Sequence, residues 1–105
     1  MTNYLSNAFS LNMIPEGQDV NVHVRNISKE DIPHDVVSAI GHLDTAAVVS
    51  NELGFVVSAQ RISVSLDESD VLYVAQYIGP RLAEGTTKLP EGARIKYLEV
   101  KYTSK

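Results

Sequence analysis

Val71-Leu72-Tyr73-Val74-Ala75-Gln76-Tyr77-Ile78 decides the fold. Gln76 is its one strongly polar residue; the others are apolar or aromatic. A strand with one wet face alternates apolar and polar residues, and this run does not. It reads as a strand covered on both faces. The polar turn Asp67-Glu68-Ser69-Asp70 precedes it and Gly79-Pro80 closes it. A strand buried in this way needs neighbours on each side and a layer above and below, and the rest of the chain must supply them.

Downstream, residues 79–92 are rich in turn formers, and residues 94–102 form a last strand with Leu98, Val100 and Tyr102 on one face. Upstream, Ile62, Val64 and Leu66 alternate with serines, which predicts a half-buried strand. Val20, Val22 and Val24 alternate with Asn21, His23 and Arg25 and predict another; His23 falls on its solvated side. Tyr4, Leu5 and Phe9 suggest a first strand over residues 3–9, followed by the turn Pro15-Glu16-Gly17. Pro-Glu-Gly recurs at 90–92 and Ala-Glu-Gly stands at 83–85, but the flanking patterns differ, so these are turns and not a structural repeat.

Two helical patterns lie between the strands. Ser28 opens the first, with Glu30 and Asp31 at the positive end of the helix dipole and Pro33 in the first turn. Val36, Val37 and Ile40 give it an apolar face, with His34 opposite. Gly41 interrupts the pattern. Leu43, Ala46, Ala47, Ser50 and Leu53 then recur at helical spacing, and Gly54 stands where a terminating glycine belongs. Two strands, two helices and three strands predict a single α+β domain over 1–105, with a mixed sheet of about five strands and the helices packed on one side.

Bulk properties narrow the function. A chain of 105 residues, 44% of them hydrophobic, makes one domain with a real core. No apolar run is long enough to span a bilayer and no signal peptide is evident, which suits a cytoplasmic protein without a membrane partner. There is no cysteine, so disulfides and thiolate metal sites are excluded. The net charge of -4 argues against a stable duplex nucleic-acid partner, which wants a basic face. Residues 1–52 hold seven acids against two bases, whereas residues 53–105 hold six acids against seven bases. A local anion site must therefore draw its arginines from the second half. Phosphate-binding glycine loops, HExxH and Gly-x-Ser-x-Gly elbows are all missing, and no aromatic platform for single strands is evident.

Two stretches carry the remaining chemistry. Ser38-Ala39-Ile40-Gly41-His42-Leu43-Asp44-Thr45-Ala46-Ala47 sets His42 at the start of the second helix. Backbone N–H groups are unpaired there and the dipole attracts anions. The same dipole disfavours an imidazolium while a bound phosphate favours it, a competition suited to proton transfer. The plainer reading is a histidine that caps the helix. Gly79-Pro80-Arg81-Leu82-Ala83-Glu84-Gly85 sets an arginine and a carboxylate three apart in a loop after the buried strand. Arginine grips two phosphate oxygens at once. The plainer reading here is a surface ion pair between Arg81 and Glu84. Arg61, at the start of a predicted strand, is open to both readings.

At these residues the chain resembles the small viral and bacterial ring nucleases that act as type III anti-CRISPR proteins, first described as a domain of unknown function in archaeal viruses. The carrying segments are Asn7-Ala8-Phe9-Ser10, Ser38 to His42 with Thr45-Ala46, Arg61, and Gln76 to Gly85. They follow the family's order over nearly the whole chain; Ala83 departs from a common proline. The resemblance implies a twofold homodimer that binds cyclic tetra-adenylate and cleaves it without a metal or cofactor. In that scheme the 2′-hydroxyl attacks the adjacent phosphorus and leaves a 2′,3′-cyclic phosphate. It implies His42 as general acid, with Arg81 and Glu84 in the same site. Asn7, Ser10, Arg61 and Thr45 match positions near the ligand. The alternative is a dimeric module that binds a cyclic nucleotide or contacts nucleic acid without cleaving it.

Overall fold

The computed structural model describes all residues, 1–105. Its strands are β1 (Asn3–Ser6), β2 (Val20–Asn26), β3 (Val37–Ser38), β4 (Val71–Ile78) and β5 (Arg94–Ser104). One helix, α1 (Leu43–Leu53), lies between β3 and β4. The strands form one five-stranded sheet in the order β2-β5-β4-β1-β3. β4 pairs antiparallel with β5 and parallel with β1, and β1 pairs parallel with β3. β5 also pairs antiparallel with the edge strand β2 over that strand's whole length. This is an α+β domain with a mixed sheet, and no helix is long and apolar enough to cross a membrane.

The run Val71–Ile78 is the central strand, as its lack of alternation requires. Leu72, Val74 and Ala75 are at most 2% exposed. On one face, Ala75 and Leu5 pack against Ala46 and Val49 of α1, with Ile32, Ile40 and Val57 completing the cluster. On the other, Leu72, Val74, Val100 and Tyr102 are covered by Val64 and Leu66, with Phe9 and Met13 alongside. The second layer is therefore made of irregular chain.

Two expected elements are different in the structure. The predicted helix from Ser28 to Ile40 is only a 3-10 turn at Lys29–Asp31, closed by reciprocal bonds between Ser28 and Asp31. Ile32 precedes Pro33, whose ring disfavours helical backbone at the residue before it, and Ile32 is extended at φ -83, ψ 119. The chain then runs into β3, where Val37 and Ser38 pair with Tyr4 and Leu5. Pairing with β1 overrides the helical spacing of Val36, Val37 and Ile40. The sheet thus carries one helix where two were expected.

The predicted strand over Ile62–Leu66 joins no ladder. Its alternation holds in part: Val64 and Leu66 are buried and Ser63 and Ser65 are exposed, but Ile62, expected on the buried side, is exposed. The segment is a strap across the second face. Leu66 N–H donates to Met13 C=O at 2.8 Å, and Tyr102 Oη donates to Leu66 C=O at 2.8 Å. The expected buried face is thus limited to Val64 and Leu66, and the fifth strand of the sheet is β3. β1 also stops at Ser6 instead of residue 9, and β5 runs on to Ser104.

Candidate functional site

His42 is the residue before α1, one position earlier than the expected first turn. Its backbone is extended, at φ -112 and ψ 128, and its C=O accepts from Ala46 N–H at 3.0 Å. His42 occupies the N-cap position of α1, as its plainer reading had it, but its ring is exposed and makes no capping hydrogen bond. The N–H groups of Leu43, Asp44 and Thr45 have no backbone partner. They are the open donors that a helix N-terminus offers an anion.

Gly41 allows the chain to pass close to Arg61. A Cβ at Gly41 would lie 3.1 Å from Arg61 Cγ. Arg61 Nε donates to Gly41 C=O at 3.1 Å, fixing the guanidinium beside the entry to α1. Arg61 is exposed and sits at the head of the strap.

The loop after β4 supplies the facing wall. His42, Thr45 and Arg81 line one cleft of about 380 Å³, together with Asp44, Tyr77, Gly79 and Leu82. Arg81 is exposed and forms no ion pair; the ion pairs in the structure both involve Glu99, with Arg25 at 2.9 Å and Lys101 at 3.8 Å. The expected alternative of an Arg81–Glu84 surface pair is therefore absent, and the guanidinium is free for a ligand. A larger hollow of about 570 Å³ at the other end of α1 contains one ionisable residue, Lys88, and no combination of groups suited to proton transfer.

Not all the expected residues converge. Glu84 is exposed on the same loop but does not line the cleft, and touches neither His42 nor Arg81 by a hydrogen bond. Asn7 follows the end of β1 and Ser10 caps a separate turn, where its Oγ accepts from Asn12 N–H at 3.3 Å. Neither lines the cleft. Two residues not singled out from the sequence do: Asp44 and Tyr77. An acidic residue in a helix's first turn and a tyrosine at a strand end are ordinary patterns, so neither carried a distinguishing signal. Tyr77 Oη donates to Pro80 C=O and holds the start of the Arg81 loop.

The sequence matches the STIV B116-like family over residues 3–101. The chain belongs to the STIV B116-like family. A solved member of similar structure is B116 of Sulfolobus turreted icosahedral virus, with a TM-score of 0.77 and 26% sequence identity over 96% of this chain and 99% of that one. No curated protein matches the chain. The B116-like match extends from β1 into β5 and so takes in both walls of the cleft.

Proposed function

We propose that this B116-like protein is a ring nuclease that binds and cleaves cyclic tetra-adenylate, countering type III CRISPR signalling in the cytoplasm of a prokaryotic cell, for a virus or mobile element. The observation that carries the reading is the cleft in which an uncommitted histidine faces an unpaired arginine at an open helix N-terminus. RNA carries its own nucleophile beside each phosphorus. The protein's tasks are to align the 2′-hydroxyl with the leaving oxygen, stabilise the phosphoryl charge and protonate the 5′-oxygen. The open N–H groups of α1 and Arg81 serve the second task, with Arg61 nearby through Gly41. His42 serves the third. Thr45 offers a hydroxyl in the same cleft.

The proposed assembly is a twofold homodimer. A cleft of about 380 Å³ falls at the lower end of the volumes that hold a drug-sized molecule, well short of four nucleotides. A ring of identical nucleotides has a matching twofold axis, so one ring spans two copies of the cleft. Asn7, Ser10 and Glu84, which lie outside the single-protomer cleft, are assigned to the enlarged site. There Glu84 orients His42 or Arg81, or takes the 2′-hydroxyl proton.

The test is incubation with cyclic tetra-adenylate in excess chelator, followed by chromatography and light scattering. Linear products ending in 2′,3′-cyclic phosphate support the reading. Retention of intact ligand makes the protein a binding module instead, and a monomer with and without ligand removes the dimer. His42→Ala is expected to slow single-turnover cleavage by roughly 10²- to 10⁴-fold with binding kept. Arg81→Ala is expected to weaken both binding and rate. Parental cleavage by folded His42→Ala removes His42 as the acid.

A further inference from the structure

The loop between β4 and β5 is held at its neck and within itself. Tyr77 Oη grips Pro80 C=O, and at Gly79 an added Cβ would come within 2.6 Å of Ala93 Cβ. Further out, Thr86 N–H and Oγ1 both donate to Ala83 C=O, at 3.1 and 2.6 Å. One hydrogen bond leaves the loop for a distant part of the chain. Gly85 N–H donates to Asp44 Oδ1 at 3.1 Å, across 41 residues of sequence. Gly85 has φ +83, a left-handed conformation that suits glycine.

Asp44 is thus in two places at once. It stands in the first turn of α1, two residues after His42, and lines the same cleft as His42 and Arg81. Its charge is wrong for an anion site, since a carboxylate beside a phosphate repels it. Its geometry, however, ties the wall bearing Arg81 to the helix bearing His42. We propose that Asp44 is a positioning residue: its carboxylate latches the Arg81 loop through Gly85 and so sets the spacing between phosphate grip and proton donor. The role rests on the nuclease reading above and adds to it a residue outside the resemblance.

Charge and latch predict opposite signs, and two substitutions separate them. Asp44→Asn keeps an acceptor oxygen for Gly85 and removes the negative charge. Asp44→Ala removes both. Each full-length variant is measured for cyclic tetra-adenylate affinity, single-turnover cleavage and hydrogen exchange at the Gly85 amide. Asp44→Asn is expected to bind at least as tightly as the parent, to cleave at a similar rate and to protect Gly85. Asp44→Ala is expected to lose Gly85 protection and to fall roughly tenfold in both affinity and rate, the scale of one lost charge-assisted hydrogen bond. Equal behaviour of the two variants, or tighter binding by Asp44→Ala, overturns the positioning role while the parental activity stands. A parent that neither binds nor cleaves overturns the nuclease reading and the positioning role together, whereas Gly85 exchange still reports whether the hydrogen bond holds the loop.

Discussion

Tyr97 offers a test of the packing beneath the site. It lies on β5 opposite Ala75 and packs against the cluster under α1. Its hydroxyl oxygen is buried and has no hydrogen-bond partner in the protein. Burial, with smaller contributions from Glu52 and Glu30, pushes its phenol up to about 12. At pH 7 the phenol is neutral in both states, so the cost there is the unmet hydroxyl. A buried polar group without a partner costs roughly 1–3 kcal/mol, and Tyr97→Phe removes that group while keeping the ring. The expected gain is about 1 kcal/mol at neutral pH, because the residue is only partly buried. At high pH the sign is fixed by linkage. The folded-state value is raised, so stability is fully present below the unfolded value of about 10 and falls as pH rises towards about 12. Two pH units at about 1.4 kcal/mol each set a ceiling of roughly 3 kcal/mol, and solvent screening reduces this to on the order of 1–2 kcal/mol. Urea unfolding of parent and Tyr97→Phe at pH 7 and across the alkaline range measures both. A variant less stable than the parent at pH 7, with an unchanged alkaline slope, refutes the assignment of an unmet, buried hydroxyl.

Gly41→Ala is expected to displace the Arg61 side chain, since the new Cβ meets its Cγ at 3.1 Å. The stability loss should be about 1 kcal/mol or less because a flexible side chain gives way, while affinity for cyclic tetra-adenylate falls; unaltered affinity would remove Arg61 from the site. Ser50→Ala tests how α1 is anchored: Ser50 Oγ donates to Ala46 C=O at 2.7 Å and accepts from Val57 N–H at 2.8 Å. Losing both should cost roughly 1–2 kcal/mol and lower the melting temperature by about 5–10 °C, read by circular dichroism.

The parts of the fold legible in the sequence are those governed by local pattern. The unbroken run at Val71–Ile78 gave the central strand, and Leu43 to Gly54 gave the helix with its glycine stop, whose φ is +81. Alternation gave β2 and β5 as strands, but the expected half-buried face of β2 is not realised, since Val22 and Val24 of this edge strand are exposed. What failed depended on long-range pairing. Two residues, Val37 and Ser38, became a strand because β1 lay alongside, and no local pattern announces a partner some thirty residues earlier. The strap 62–66 shows the converse, since burial on alternate residues is shared by a ladder strand and by an extended segment lying on a sheet face. At the site, residue types pointed to His42 and Arg81 and the family resemblance added Thr45, and the three do converge. Asp44 and Tyr77 stayed hidden because their roles are hydrogen bonds to a loop whose path the sequence does not reveal.

The correction at β3 also explains why some expected site residues meet and others do not. β1, β3 and β4 are parallel, so the loops leaving Ser6, Ser38 and Ile78 emerge from the sheet in the same direction. The crevice beyond the carboxyl ends of parallel strands is a recurrent place for ligands. These exits are staggered. Ser6 pairs with Val74, and β4 continues for four more residues to Ile78, a rise of about 13 Å. The chain leaving Ser38 likewise runs four residues, Ala39 to His42, before α1 begins. His42 and Arg81 line one cleft, whereas Asn7, immediately after β1, does not. A helix over 28–40 would have placed His42 by helix–helix geometry alone. The short strand β3, parallel to β1 and β4, instead sends the chain towards the end of the sheet from which the Arg81 loop also leaves, and His42 and Arg81 line one cleft there.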